Sequence, residues 1–80
     1  MTNEYGMELN EYGGITEYSV EIRDLNDGHF IKQIDVLDNY EEAEKLIEEY
    51  NDYDSNTEIL EIHCIDYDEY GEERAYYLCE

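Results

Sequence analysis

Apart from its carboxylates, this sequence has few side chains that could act as nucleophiles or general bases. The candidates are His29, His63, Cys64 and Cys79. His63 and Cys64 are adjacent, and adjacent side chains of a β-strand point to opposite faces, so the two cannot form a catalytic dyad. The sequence contains no nucleophile-elbow, P-loop or zinc-protease motif. We therefore predict that the protein is not an enzyme and needs no cofactor.

The chemistry that the sequence does offer is that of carboxylates. There are 24 Asp and Glu residues against four Lys and Arg, which gives a formal net charge of −20. Hard cations bind clustered carboxylates, and two segments partly match the calcium-binding EF-hand loop. The segment from Asp52 has Thr57 where the loop needs Gly, and the segment from Asp66 has Tyr77 where it needs Glu. We predict no specific metal site, with a calcium-responsive adaptor kept as an alternative function.

A β-hairpin is predicted in the first half of the chain. Tyr18, Val20 and Ile22 alternate with polar residues, which is the period of a half-buried strand. The pair Asp27-Gly28 favours a tight hairpin turn because it tolerates positive φ angles. A returning strand is expected over residues 29–36. Its expected core-facing residues are Phe30, Ile34 and Val36.

The segment before this hairpin is the least regular part of the sequence. Residues 1–15 are predicted to form either a short edge strand or a flexible segment. The pair Gly13-Gly14 is predicted to form a turn.

A helix of about four turns is predicted to begin after Asp38. Asp38 is a candidate N-cap, and Glu41 follows it at the capping-box spacing. The apolar residues that come next recur at three- and four-residue steps, so they form one stripe on the helix surface. They are Tyr40, Ala43, Leu46, Ile47 and Tyr50.

Two further strands are predicted after the helix, over residues 57–65 and 74–79, joined by an acidic turn over 66–71. In the first of them Leu60, Ile62 and Cys64 share one face, and His63 lies on the other. Cys64 and Cys79 belong to no metal-binding pattern. We interpret them as buried thiols, with a strand-to-strand bridge as the alternative.

Together these elements predict one small α+β domain over residues 1–80. The expected order is β-β-α-β-β, an antiparallel sheet of four to five strands with one helix packed on one face. The other face is left to solvent or to a partner. The first residues are not expected to form a signal peptide, and no apolar run is long enough to cross a bilayer. A cytoplasmic protein with no membrane association is therefore expected.

The net charge is the property of the sequence that most restricts the range of possible functions. Magnitudes of about 2–8 keep a small domain soluble, and more charge costs stability through self-repulsion. Duplex DNA carries one charge per about 1.7 Å, so a net charge of −20 corresponds to about ten base pairs. A domain of this size has a diameter of about 30 Å. Its carboxylates are therefore expected to imitate successive phosphates.

Two segments carry a resemblance to a known family. Residues 24–37, DLNDGHFIKQIDVL, and residues 62–71, IHCIDYDEYG, with the acidic helix between them, resemble one module of the ArdA-type antirestriction proteins. In size and charge the chain is also similar to small phage anti-CRISPR proteins and uracil-glycosylase inhibitors. The resemblance implies an inhibitor, carried by a phage or another mobile element, that acts against host defence inside a bacterial cell.

Charge and resemblance together predict a DNA-mimic inhibitor of a prokaryotic defence enzyme, either a CRISPR effector or a restriction-modification enzyme. An inhibitor that acts at a dimerisation or allosteric surface is the alternative. The expected partner is a DNA- or RNA-binding protein with a basic groove. The chain itself is expected to bind no nucleic acid and to be a monomer or a small homo-oligomer. The predicted partner-binding residues are Glu17, Glu21, Asp24, Asp27, Glu41, Glu44, Glu48, Glu49, Asp66, Asp68, Glu69, Tyr70, Glu72 and Glu73.

Overall fold

The protein folds as one antiparallel sheet with one helix, seen in a computed structural model that describes residues 9–79. The sheet has four strands in the order β2-β1-β3-β4, and all neighbours are antiparallel. This agrees with the predicted α+β class. The edge strand considered for residues 1–15 falls largely outside the described residues. The elements are β1 (Gly13–Asp24), β2 (Phe30–Leu37), α1 (Tyr40–Glu49), β3 (Glu58–Asp68) and β4 (Glu73–Leu78).

The two long central strands, β1 and β3, carry the core. They pair along their whole length, from Gly13 opposite Asp68 to Asp24 opposite Glu58. Their alternating apolar residues point to the same side, where α1 packs on them. Burying a side chain such as Val or Leu contributes about 1.5–3 kcal/mol relative to leaving it exposed. The buried cluster consists of Val20, Ile22, Ala43, Leu60 and Ile62.

The helix is shorter than predicted and begins one residue later. The side chain of Asn39, not that of Asp38, caps it and accepts the amide protons of Glu41 at 2.8 Å and Glu42 at 3.2 Å. The ten residues of α1 make just under three turns. The predicted apolar stripe is confirmed: Ala43 is buried, and the other four members pack against the core. Within residues 9–79, no helix has the length and apolarity that crossing a bilayer requires.

The side-chain pattern predicted for the second strand is wrong at two positions. Phe30 pairs with Arg23, and Val36 pairs with Ser19, so both lie on the face away from α1. Only Ile34 packs against the core as expected. Two register shifts between β1 and β2 explain the difference, because each inserts an unpaired residue and reverses the alternation of faces.

The predicted turn at Gly13-Gly14 is also wrong, because both residues belong to β1. A Cβ atom on Gly14 would lie 2.2 Å from the carbonyl oxygen of Tyr67, so only glycine allows the strands to approach here. The chain turns earlier, around Asn10. Its Oδ1 accepts the amide protons of Tyr12 at 2.9 Å and Gly14 at 3.2 Å, and its Nδ2 donates to the Tyr67 carbonyl at 2.9 Å.

The last two strands are joined by a disulfide. Cys64 on β3 and Cys79, directly after β4, are bonded, with Cα atoms 5.5 Å apart. The interpretation of these residues as thiols is therefore wrong, and the strand-to-strand bridge is confirmed. The acidic turn is shorter than predicted, since Asp66 and Asp68 belong to β3.

Candidate partner-binding surface

The predicted partner-binding residues differ widely in exposure. Glu17 and Asp24 are half-buried, whereas Glu21, Asp66 and Asp68 are buried. The rest are exposed, and the Tyr70 residue is 83% exposed. The exposed residues are Asp27, Glu41, Glu44, Glu48, Glu49, Glu69, Tyr70, Glu72 and Glu73.

The exposed residues form three groups spread along the molecule. The β1–β2 hairpin carries Asp27 at one end of the sheet, and the β3–β4 turn together with the first residue of β4 carries 69–73 at the other end. These ends are separated by the length of β1, which at about 3.3 Å per residue is close to 40 Å. The third group is the outer surface of α1, which packs on one face of the sheet. The predicted residues therefore do not converge on one point but extend along the long axis.

Two of the buried carboxylates are used to hold the β3–β4 end of the sheet together. Asp66 Oδ1 accepts the hydroxyl of Thr16 at 2.6 Å. Asp68 Oδ1 accepts the amides of Tyr70 at 2.9 Å and Glu72 at 3.0 Å, and its Oδ2 lies 3.4 Å from Arg74 Nη1. The amide of Glu72 contributes most to lowering the pKa of Asp68 below its usual value. Neither carboxylate faces outward.

The third buried carboxylate, Glu21, lies on the face of the sheet away from α1, which we call the open face. Its side chain is only 1% exposed. It accepts hydrogen bonds from Ser19 Oγ at 2.7 Å, from Arg23 Nε at 2.9 Å and Nη2 at 2.6 Å, and from the hydroxyl of Tyr76. The Ser19 hydroxyl oxygen in turn accepts a hydrogen bond from Gln33 Nε2 at 2.8 Å. Glu21 is thus enclosed by polar partners and does not form part of the outer surface.

These partners hold Glu21 in its charged form. Burial raises the pKa of Glu21, but the hydrogen bonds from Tyr76, Ser19 and Arg23 outweigh it, so the pKa lies below its usual value. Burial, followed by the bond to Glu21, raises the pKa of Tyr76 to about 12. The strand pattern predicts Glu21 on this face, but neither Tyr76 nor Arg23 was identified from the sequence as a hydrogen-bond partner of Glu21. The spacing of Glu21 and Arg23, two apart on one strand face, was the available signal.

His63 completes the polar cluster of the open face. Its Nε2 lies 3.0 Å from Glu61 Oε1 and 3.9 Å from Glu21 Oε1. Its ring stacks on that of Tyr76, with centroids 5.3 Å apart. The buried Nδ1 has no hydrogen-bond partner among the residues that the structure describes. The Tyr76 ring therefore covers both His63 and the Glu21 carboxylate.

The few basic side chains do little to neutralise the outer surface. Arg23 pairs with buried Glu21, with its Nη2 2.6 Å from the carboxylate, and Arg74 pairs with buried Asp68. Lys32 and Lys45 are exposed and form no ion pair with any of residues 9–79. Two of the four cations are therefore paired with buried carboxylates, and most of the charged groups on the outer surface are carboxylates.

The molecule is elongated, with extents of 44 × 23 × 17 Å. Residues 9–79 hold 21 acidic and four basic side chains, a net charge of −17. Divided over a length of 44 Å, this is one net charge per about 2.6 Å, compared with about 1.7 Å in duplex DNA. The average charge density along the long axis is therefore about two thirds of that of a duplex.

One group of potential metal ligands occurs within the described residues, at the tip of the β1–β2 hairpin. It consists of Asp24, Asp27 and His29. Asp24 Oδ1 accepts the amides of Asn26 at 2.8 Å and Asp27 at 3.2 Å, and Asp27 Oδ1 accepts the amide of His29 at 2.9 Å. That amide, followed by the His29 ring, lowers the pKa of Asp27 below its usual value. These contacts are those of a hairpin turn held by its own side chains.

The two cysteines offer no free thiol, since they form the disulfide. Comparison with protein-family models, with curated proteins and with solved structures found no match. The resemblance to antirestriction and anti-CRISPR proteins therefore remains a prediction from the sequence. Any functional proposal for this chain depends on the shape and charge of its surface.

Proposed function

We propose that the protein binds the basic groove of a DNA- or RNA-binding protein and so competes with nucleic acid for that groove. The observation that carries the proposal is the set of exposed carboxylates spread in three groups along an elongated frame 44 Å in length. A duplex of that length contains about 13 base pairs. Each Lys or Arg of the groove that would contact a phosphate meets a carboxylate instead.

The partner that we propose is a prokaryotic defence enzyme, either a CRISPR effector or a restriction-modification enzyme. This choice comes from the sequence resemblance, and the charge supports the broader class of basic-groove proteins. A chain with a net charge of −20 repels phosphates, so we expect it to bind the enzyme and not the nucleic acid. We propose that it acts in the cytoplasm of the bacterial host, as a monomer or a small homo-oligomer.

Displacement of a fluorescent cognate duplex from a panel of such enzymes tests the proposal. The wild-type protein should release the duplex from at least one enzyme at stoichiometric concentration. Neutralising a carboxylate pair on the helix, Glu44→Gln with Glu48→Gln, should weaken displacement. Removing the charges of the two lysines, Lys32→Gln with Lys45→Gln, should not weaken it. Displacement that is equally sensitive to both changes would contradict mimicry.

A second candidate function is inhibition at a dimerisation or allosteric surface, without mimicry. The open face favours it, because that face presents large apolar side chains beside the polar cluster. Phe30 is 50% exposed, Leu78 46% and Tyr76 43%. If this function is correct, Phe30→Ser with Leu78→Ser will abolish inhibition, whereas the Glu44→Gln, Glu48→Gln pair will leave it unchanged.

A further inference from the structure

The outer edge of β3 is covered along only part of its length. β4 pairs with β3 from His63 to Tyr67, and the amide of Cys79 makes one more bond, at 2.9 Å, to the carbonyl of Ile62. β1 pairs with the other edge of β3 from Glu58 onward. Within the described residues, the edge from Glu58 to Leu60 therefore faces no strand.

Two hydrogen bonds show which backbone groups point to this free edge. The Thr57 carbonyl accepts the amide of Leu25, at 2.9 Å, on the β1 side, and the Ile62 carbonyl points to the β4 side. Backbone groups of a strand alternate between its two edges with a period of two, and the β1–β3 register is continuous here. The N–H and C=O groups of Leu60 therefore point outward. They make no ladder bond to any residue of the described chain.

A groove of about 370 Å³ runs beside this edge, between β3 and α1. Its floor is apolar and includes Ile47 from the helix and Leu60 and Ile62 from β3. Glu44 and Glu48, one helical turn apart, line its helical side. The groove thus combines unpaired backbone groups, an apolar floor and a negatively charged wall.

We propose that this edge binds an extended segment of the partner by strand addition. Main-chain hydrogen bonds to Leu60 would supply affinity, and alternate side chains of the segment would supply specificity. One side chain would enter the apolar groove, and Lys or Arg residues would lie beside Glu44 and Glu48. A second copy of this chain is a poor occupant, because it would bring another net charge of −20 to an acidic wall. The inference rests on the proposed function, which supplies a basic partner.

A short basic peptide is a suitable probe for the edge. We suggest the fluorescein-labelled heptapeptide Lys-Val-Lys-Val-Lys-Val-Lys, with a second version N-methylated at alternate residues on one edge. Both peptides carry the same charge, but the second cannot donate backbone hydrogen bonds from the methylated edge. The unmodified peptide should bind at least tenfold more tightly. Binding should also slow hydrogen exchange at the Leu60 amide, which should exchange readily in the free protein.

Matched charge reversals on the helix distinguish binding at the groove from a general attraction of the basic peptide to an acidic protein. Glu44→Lys with Glu48→Lys changes the wall of the groove. Glu42→Lys with Glu49→Lys makes the same change in net charge on the opposite side of α1. The first pair should weaken peptide binding at least tenfold more than the second.

Equal losses in the two variants, equal affinity of the two peptides, or a Leu60 amide that is already protected in the free protein would each overturn the inference. The last result would mean that the chain or a second copy covers the edge. These outcomes leave the proposed function intact, because it is judged by displacement of nucleic acid from the enzyme. Failure of displacement, in contrast, would remove the proposed function whatever the peptide does.

Discussion

At the residue scale, the main finding is that one carboxylate on the open face is structural. Glu21 was expected to face a partner, but Ser19, Arg23 and Tyr76 enclose it. A buried carboxylate is tolerated when several charge-assisted hydrogen bonds replace its water. Glu21 therefore orders the open face, and the exposed carboxylates elsewhere are left for binding.

We expect Glu21→Gln to lower the free energy of unfolding by about 2–3 kcal/mol, because hydrogen bonds to charged groups contribute about 1.5–3 kcal/mol. The change also leaves Arg23 without its ion-pair partner. Urea unfolding near neutral pH measures the effect. The matched control is Glu42→Gln on the exposed side of the helix, which removes the same charge and should change stability by less than about 0.5 kcal/mol. Equal effects would contradict a structural role for Glu21.

The stabilisation from Glu21 should also depend on pH. Its pKa is lowered in the folded protein, so the charged form favours folding above the ordinary Glu value of 4.5. The stability difference between wild type and Glu21→Gln should be constant near neutral pH and should shrink as the pH falls below 4.5. Urea unfolding of both proteins over this range measures it. If the stability difference between the two proteins grows as the pH falls, the pKa of Glu21 is raised by folding and not lowered.

At the element scale, regular alternation was predictable and irregular pairing was not. In β1 and β3 an apolar residue recurs at every second position along the core face, so the sequence predicts the face that Val20, Ile22 and Leu60 occupy. In β2 the two register shifts are a property of its pairing with β1, and the sequence gives no local sign of them. The burial of Asp66 likewise depends on a distant partner, Thr16, and that of Asp68 on how the turn after it folds back onto its carboxylate.

The disulfide belongs to the same scale, because it locks the end of β4 to β3. A bridge that closes a loop of 15 residues stabilises by about 3 kcal/mol, mainly by restricting the unfolded chain. The double variant Cys64→Ala, Cys79→Ala should be less stable than wild type by about that amount. Urea unfolding with and without a reductant tests this expectation. Reductant should bring the wild type to the level of the variant and leave the variant unchanged; an insensitive wild type would mean that no bridge forms.

At the scale of the whole molecule, the sequence predicted the amount of charge but not its distribution. The 3.6-residue period was enough to place Glu44 and Glu48 on the outside of the helix. The elongated shape was not predictable, since it results from the full pairing of β1 with β3. The free edge at Leu60 was not predictable either, because it depends on where β4 stops pairing.

A net charge of −20 should make the free protein more stable in salt. Its carboxylates repel one another, and salt shortens the range of this repulsion from about 30 Å at about 0.01 M to about 8 Å at about 0.15 M. The midpoint of thermal unfolding should therefore rise between these concentrations. Choline chloride should act like sodium chloride, since screening does not depend on a specific cation. A midpoint that falls with salt would contradict dominant self-repulsion.

The affinity for the partner should respond to salt in the opposite direction. The most direct test of the central claim is the dissociation constant of the complex with an inhibited enzyme, measured by calorimetry from about 50 mM to about 200 mM salt. If the exposed carboxylates replace phosphates in a basic groove, affinity should fall by about a hundredfold or more over this range. An affinity that stays constant would contradict nucleic-acid mimicry.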